Sequence, residues 1–142
     1  MVLQGVCDHK RKFTDVFVGW PGSVHDARIF DNSNLKLRVD HNPFEMVPEG
    51  SFMLGDCAYK LETLMMVPYK NFGSFTLEQR NYNYAQSSPR NIIERAFSLL
   101  KSRFCRLRLI ELKDMLLVCE YIVSVCILHN FCIDEDELTS GE

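Results

Sequence analysis

One carboxylate in this chain stands where sheet proteins often place their chemistry. Asp56 follows Gly55 directly after a short apolar run, residues 52–54, that predicts a β-strand. Ligands of open α/β sheets gather at the carboxyl ends of strands, where an aspartate can bind a metal ion or act as a base. An aspartate at this position can equally cap the turn that follows the strand. Residue type and position therefore leave a functional and a structural interpretation open.

Two further positions could take part in chemistry. Glu94 lies in the first turns of a predicted helix, where it could instead be a solvated residue that pairs with Arg90 at helical spacing. His25 and Asp26 could support proton transfer. However, Asp26 stands three residues after Ser23, which is the spacing of a helix capping box. An acidic residue is also favoured at a helix N-terminus, so we predict a structural role for this motif.

The cysteines and histidines show no zinc-ligand pattern. No two of the six cysteines form a C-x-x-C pair. His129 lies one helical turn from Cys126 and from Cys132, but no fourth ligand is in view. We therefore predict a buried core histidine whose ring bonds a backbone carbonyl. The cysteines lie mostly within apolar runs, which indicates a reducing compartment and no disulfides.

Composition and charge indicate one globular domain with an acidic end. The 142 residues are 46% apolar, enough for a buried core. Residues 89–113 carry seven basic and two acidic side chains, whereas residues 134–142 carry five acidic and no basic ones. We expect a domain over residues 1–133 and an acidic, disordered tail over 134–142. Residues 116–128 are too few to span a bilayer and contain Glu120, so we predict a buried helix and no membrane association.

The order of predicted elements favours a mixed α/β layer fold. Alternating β-branched and aromatic residues predict a hairpin from strands 2–7 and 13–19, joined by a polar turn at 9–12. The other expected elements are strands at 51–54 and 65–69, a loop at 42–50, and helices that begin at Ser23, at a Thr76–Gln79 capping box, at Ser88-Pro89 and near Lys113.

Four sequence blocks together resemble one family. Residues 19–30 resemble the G-W-P-G-S-x-H-D-x-R-x-F block of PIF/Harbinger transposases, and residues 55–59 resemble their G-D-x-x-Y block. Residues 90–104 resemble their R-x-x-x-E-x-x-F-x-x-L-K-x-R-F block, and residues 128–130 resemble their closing L-H-N. The blocks occur in the family's order and extend over most of the chain.

The resemblance implies an RNase H-like mixed sheet with flanking helices and a site of three carboxylates. Asp56 matches the second carboxylate and Glu94 the third. In the family the first belongs to an I-D-G-T-like strand, which lies in the centre of the sheet and precedes the hairpin. This chain begins within the second strand, so we expect the first, central strand to be missing and the site to be incomplete.

By resemblance, the activity is DNA cleavage by a transposase-derived nuclease in the nucleus. A complete site would hold two Mg²⁺ or Mn²⁺ ions about 4 Å apart, for which carboxylate oxygens are suitable ligands. Target recognition would lie on a separate segment or on a DNA-binding partner protein; the sequence gives no oligomeric state. The basic residues that could contact DNA phosphates, or could instead form a solvated helix face, are Arg90, Arg95, Lys101 and Arg103.

Two other functions are compatible with this sequence. One is a non-catalytic, domesticated relative that binds DNA or a protein, which would also retain Asp56 and Glu94. The other is an α/β interaction module unrelated to transposases, which the four blocks disfavour.

Overall fold

The computed structural model describes residues 1–111 and 113–140. The chain divides into two compact units: Met1–Gly22 with Ile92–Glu142 form unit 1, and Ser23–Asn91 form unit 2. The α/β class is as predicted, but the described strands form two separate two-stranded sheets, not one mixed sheet. A single sheet needs strands with partners on both sides, and each described strand pairs with one partner. The RNase H-like arrangement and its central strand therefore remain predictions.

Unit 1 contains the predicted hairpin. Strands β1 (Val2–Cys7) and β2 (Phe13–Trp20) pair antiparallel. Val2 faces Trp20 whereas Leu3 faces Val18, so Gly19 is an extra residue in β2. Its φ of 125° lies in the region that favours glycine, which explains the glycine that precedes Trp20.

Helix α5 (Met115–Ser140) packs one face into the core of unit 1. Its buried residues recur at helical spacing, and the opposite face leaves large apolar side chains exposed, among them Leu117, Ile127 and Phe131. The core combines both strands and both long helices. Its buried members are Phe13, Ala96, Leu100, Val118, Ile122, Val125 and Cys126.

The length of α5 differs from the prediction. We expected a buried helix too short for a bilayer, but the observed 26 residues are long and apolar enough to cross a membrane by length and composition alone. Helices in the cores of soluble proteins meet the same criterion, which makes it weak support for a membrane span.

The acidic end is a further correction, because residues 134–140 continue α5 and are not disordered. Asp134 pairs with Lys12 at 2.7 Å, and Glu137 pairs with Lys10 at 2.9 Å. Asp136 pairs with Arg103. Carboxylates near a helix C-terminus oppose the helix dipole, and these cations offset that effect. The sequence did not reveal the pairing because two of the partners lie more than 120 residues away.

Unit 2 begins with three short helices: α1 (Asp26–Asp31), α2 (Asn34–His41) and α3 (Pro43–Met46). The side chain of Ser33 caps α2 by accepting a hydrogen bond from the Lys36 amide at 3.2 Å. Helix α3 lies in the segment predicted to be a loop, where its proline occupies the first turn and suits that position.

The sheet of unit 2 consists of two parallel strands of two residues each, β3 (Met53–Leu54) and β4 (Met65–Met66). Both were predicted, although each is shorter than the apolar run that contains it.

Helix α4 (Leu77–Arg103) is continuous and extends from unit 2 into unit 1. Its predicted capping box is confirmed: Thr76 and Gln79 exchange hydrogen bonds of 3.0 and 3.2 Å. The predicted break at Ser88-Pro89 is wrong, because Pro89 lies inside the helix. An interior proline costs about 3 kcal/mol. Buried side chains on both sides of it, Gln86 and Ala96, hold the helix in place.

Candidate active site

Asp56 follows β3, as the sequence predicted. Gly55 pairs with the Met66 carbonyl at 2.9 Å, so the strand pairing ends next to the carboxylate. Oδ1 of the half-buried Asp56 accepts a hydrogen bond from the Ala58 amide at 2.8 Å. Among the described residues, its Oδ2 accepts no hydrogen bond. The aspartate therefore caps the turn and still presents a carboxylate oxygen for another ligand.

Packing leaves room only for glycine at the position before Asp56. A Cβ atom on Gly55 would lie 3.0 Å from Sδ of Met65 and 3.1 Å from Cδ2 of Tyr59. Any larger residue would displace one of these side chains, which explains why this position suits glycine.

Gln86 of α4 anchors the same strand end, and sequence reasoning missed it. Its buried Nε2 donates to the carbonyls of Gly55 at 2.7 Å and of Met66 at 3.2 Å. A glutamine within a polar helix gives no sequence signal of burial. Its effect is to hold β3, β4 and α4 together at the residue before Asp56.

Tyr59 was also missed as a contributor to this region. Its ring packs edge-to-face against Phe30 at 6.0 Å. Burial and, to a smaller extent, the charges of Asp26 and Asp56 together raise the pKa of the Tyr59 phenol to about 12. Both carboxylates thus act on Tyr59 within unit 2.

The predicted capping box at Ser23 is wrong. Helix α1 begins at Asp26, and its N-cap is His25, whose side chain makes no capping hydrogen bond. Ser23 and His25 are exposed, and Asp26 is half-buried. Asp26 occupies the first turn of α1, where a negative charge is favourable. The box fails because the helix starts at the aspartate itself, so the serine lies outside hydrogen-bonding position for a cap.

Glu94, the other candidate metal ligand, is exposed on the part of α4 that belongs to unit 1, whereas Asp56 belongs to unit 2. The convergence of their carboxylates stays a prediction. Of the proposed phosphate-contacting residues, Arg95 and Lys101 are exposed and Arg90 is half-buried. Arg103 forms an ion pair with Asp136.

The donor atoms suit a hard cation, but the set is incomplete. Carboxylate oxygens such as those of Asp56 and Glu94 are ligands that Mg²⁺ and Mn²⁺ accept. Within residues 1–111 and 113–140, no group of three or more His, Cys, Asp or Glu side chains could hold a metal ion. The roles of Asp56 and Glu94 as two of the three carboxylates that the resemblance implies stay predictions.

Burial changes the ionisation of two of the six thiols. All six cysteines are unpaired, as predicted. Burial raises the pKa of Cys126 to about 11, and burial together with the charge of Asp8 does the same for Cys7. Both are therefore protonated at neutral pH, which disfavours metal binding.

The L-H-N block has a structural role. His129 is fully buried, and its Nε2 donates to the Arg11 carbonyl at 2.8 Å, as predicted for a core histidine. Burial lowers the pKa of His129, which favours the neutral ring. Asn130, which sequence reasoning missed, accepts from the Phe13 amide and donates to the Phe13 carbonyl, each at 2.8 Å. Both residues hold the hairpin against α5.

Comparison with known proteins shows the family. Residues 1–130 match the family described as DDE superfamily endonuclease. "Protein ALP1-like" of Arabidopsis thaliana is 29% identical over 98% of this chain and 36% of its own length. "Putative nuclease HARBI1" of Homo sapiens is 29% identical over 91% of this chain and 36% of its own length. No solved structure matches.

This chain spans about a third of the length of those relatives. The resemblance to PIF/Harbinger transposases is confirmed, because the family match extends over all four motif blocks and the relatives are Harbinger transposase-derived nucleases. The chain belongs to the DDE superfamily endonucleases.

Proposed function

We propose that this chain is part of a metal-dependent DNA endonuclease in which Asp56 and Glu94 each bind a divalent cation. The observation that supports this most directly is the family match over residues 1–130, combined with the position of Asp56 at the end of β3. Its Oδ2 makes no hydrogen bond within the described residues and is therefore available to a ligand.

The residues around Asp56 would position its carboxylate. The Ala58 amide orients one oxygen, and Gln86 fixes the backbone before it. Two bound Mg²⁺ or Mn²⁺ ions would supply an activated water and stabilise the leaving oxygen of a phosphodiester. A third carboxylate would complete the site, and we expect it from outside this chain's described residues.

Basic residues of α4 would bind the DNA backbone. Arg95 and Lys101 are exposed and can reach phosphates without rearrangement, and Arg90 would join them. Arg103 would first have to exchange Asp136 for a phosphate. We further propose that the whole protein acts in the nucleus and that target recognition lies on a separate segment or a DNA-binding partner protein.

Nicking of supercoiled plasmid in Mg²⁺ or Mn²⁺ tests this function. The whole protein should nick DNA, and in it both Asp56→Asn and Glu94→Gln should lose at least about a hundredfold in rate, since each removes a charge that holds a metal ion. Matched controls are Asp40→Asn and Glu120→Gln, exposed carboxylates outside the motif blocks. Nicking that is unchanged in the two site variants would contradict the proposal.

A second candidate function is supported by the incomplete metal-ligand set within the described residues. The chain would then be a domesticated relative that binds DNA or a protein without cleaving. It predicts DNA binding without metal-dependent nicking, and it predicts that Asp56→Asn leaves binding unchanged.

A further inference from the structure

Unit 1 has a cluster of cations of which the proposed function uses only Arg103. The turn between β1 and β2 presents Lys10, Arg11 and Lys12, and the end of α4 presents Arg103. Lys10, Lys12 and Arg103 pair with Glu137, Asp134 and Asp136 of α5, which places the turn and the helix end beside the same helix segment. We call these four residues the hairpin basic surface.

The turn is held in one conformation. Oδ1 of Asp8 accepts hydrogen bonds from the amides of Lys10 at 2.9 Å and Lys12 at 3.0 Å. Arg11 has a φ of 69°, a left-handed conformation that is unfavourable for a residue with a side chain. His129 binds the Arg11 carbonyl. The cations are therefore displayed by a rigid turn, which reduces the entropy lost when a ligand binds.

Helix α5, whose His129 binds the turn, also covers this surface with carboxylates. Asp134, Asp136 and Glu137, here called the acidic helix end, lie one to two turns beyond His129 on α5. Asp134 pairs with Lys12 at 2.7 Å, Glu137 with Lys10 at 2.9 Å, and Asp136 with Arg103. The carboxylates of these pairs are 46–64% exposed, so solvent and other anions can reach them.

The acidic helix end is unfavourable for the helix by itself. Its charges lie in the last turns of α5, where no basic residue follows, and they oppose the helix dipole. Exposed ion pairs contribute little free energy because water and salt screen them. A ligand with many negative charges that releases counterions can therefore displace the carboxylates from the cations.

We propose that the hairpin basic surface binds the phosphate backbone of duplex DNA and that the acidic helix end occupies this surface when DNA is absent. Carboxylate and phosphate are equivalent ligands for lysine and arginine, so the carboxylates act as intramolecular competitors. The choice of DNA as the anion rests on the proposed function. The surface adds Lys10, Arg11 and Lys12 to the basic residues of α4.

Fluorescence anisotropy with a labelled duplex of roughly 20 base pairs, in EDTA, tests this inference. Asp134→Asn combined with Glu137→Gln should tighten binding about three- to tenfold, because it removes two competitors. The matched control is Glu120→Gln combined with Glu135→Gln, which removes the same charge from exposed residues of α5 that form no ion pair with a described residue. The control should change affinity by less than about twofold, since neither carboxylate pairs with a cation of the hairpin basic surface.

A variant of the two lysines tests the same inference independently of the acidic variants. Lys10→Gln combined with Lys12→Gln should weaken binding and lower the salt dependence by about two counterions. Equal tightening by the two acidic double variants would overturn the inference, and so would an unchanged salt slope in the lysine variant. Absence of DNA binding by the chain at low salt would overturn it as well.

Metal-free conditions separate this test from the nuclease proposal. Loss of nicking in Asp56→Asn together with an unchanged salt slope in the lysine variant would reject only the hairpin basic surface. The expected salt slope without any nicking would support the surface and reject only the nuclease. Circular dichroism of each variant confirms that an altered affinity does not come from unfolding.

Discussion

The L-H-N block and the G-D-x-x-Y block have different structural roles. In unit 1, the L-H-N block places His129 and Asn130 in the interior, where their polar atoms bind the backbone of the hairpin. In unit 2, the G-D-x-x-Y block uses Gly55 and Tyr59 for packing and leaves Asp56 half-buried. One block is thus explained by the fold alone, and the other contains a carboxylate of which the turn uses one oxygen.

This difference separates structural from functional motif residues. Asn130 makes two hydrogen bonds to one backbone unit, and Gly55 has no room for a side chain. Packing alone is enough to select such residues. Asp56 needs only one of its oxygens for the turn, and an asparagine could supply that oxygen equally well. The proposed metal site would require the negative charge at this position, whereas the turn does not.

The largest expected effect concerns the L-H-N block. Asn130→Ala should lower the free energy of unfolding by about 2–4 kcal/mol, because it leaves the amide and the carbonyl of Phe13 without their partner. Urea denaturation measures the change. The control, Asn32→Ala, removes an exposed hydrogen bond to the Arg28 carbonyl and should cost less than about 1 kcal/mol. Equal losses of unfolding free energy in the two variants would contradict the structural role assigned to Asn130.

A smaller effect concerns Tyr59 of the G-D-x-x-Y block. Its pKa in the fold is about 12, and near 10 in the unfolded chain, so the fold favours the neutral phenol. This contribution is fully present below pH 10 and is lost as the pH rises from 10 through 12. Solvent screening at this half-buried ring limits it to about 1–2 kcal/mol.

Tyr59→Phe should therefore lose less stability than the wild type between pH 10 and pH 12, as measured by denaturation at each pH. Tyr84→Phe, at an exposed ring, is the matched control and should follow the wild type. If Tyr59→Phe shows the same alkaline loss as the wild type, the ring does not experience the burial and the two carboxylates described above.

Local patterns in the sequence predicted the elements whose stabilising contacts are also local. The hairpin and the Thr76–Gln79 capping box are confirmed because their hydrogen bonds join residues close in sequence. The buried histidine was predicted from the apolar residues around it. The position of Asp56 after a strand was predicted from the apolar run at residues 52–54.

The incorrect predictions involve contacts between distant residues or competing local patterns. The helix that continues through Asp134 depends on Lys12, more than a hundred residues earlier. Pro89 remains helical because α4 is held by tertiary contacts on both sides. At the start of unit 2, Ser33 caps a helix and Ser23 does not, although both precede helical residues. Gln86 was missed because its two carbonyl partners come from other elements.

Titration of the ¹⁵N-labelled chain with Mn²⁺ tests the central claim most directly, because paramagnetic broadening reports which amides lie near a bound ion. We predict that substoichiometric Mn²⁺ broadens the amides around Asp56 and around Glu94, since both carboxylates are proposed to hold divalent cations. Asp56→Asn should remove the broadening of the amides around residue 56. The chemical shifts of the unit 1 amides should stay unchanged, which would show that the variant is folded. Broadening confined to the acidic helix end, or unchanged in Asp56→Asn, would contradict the account.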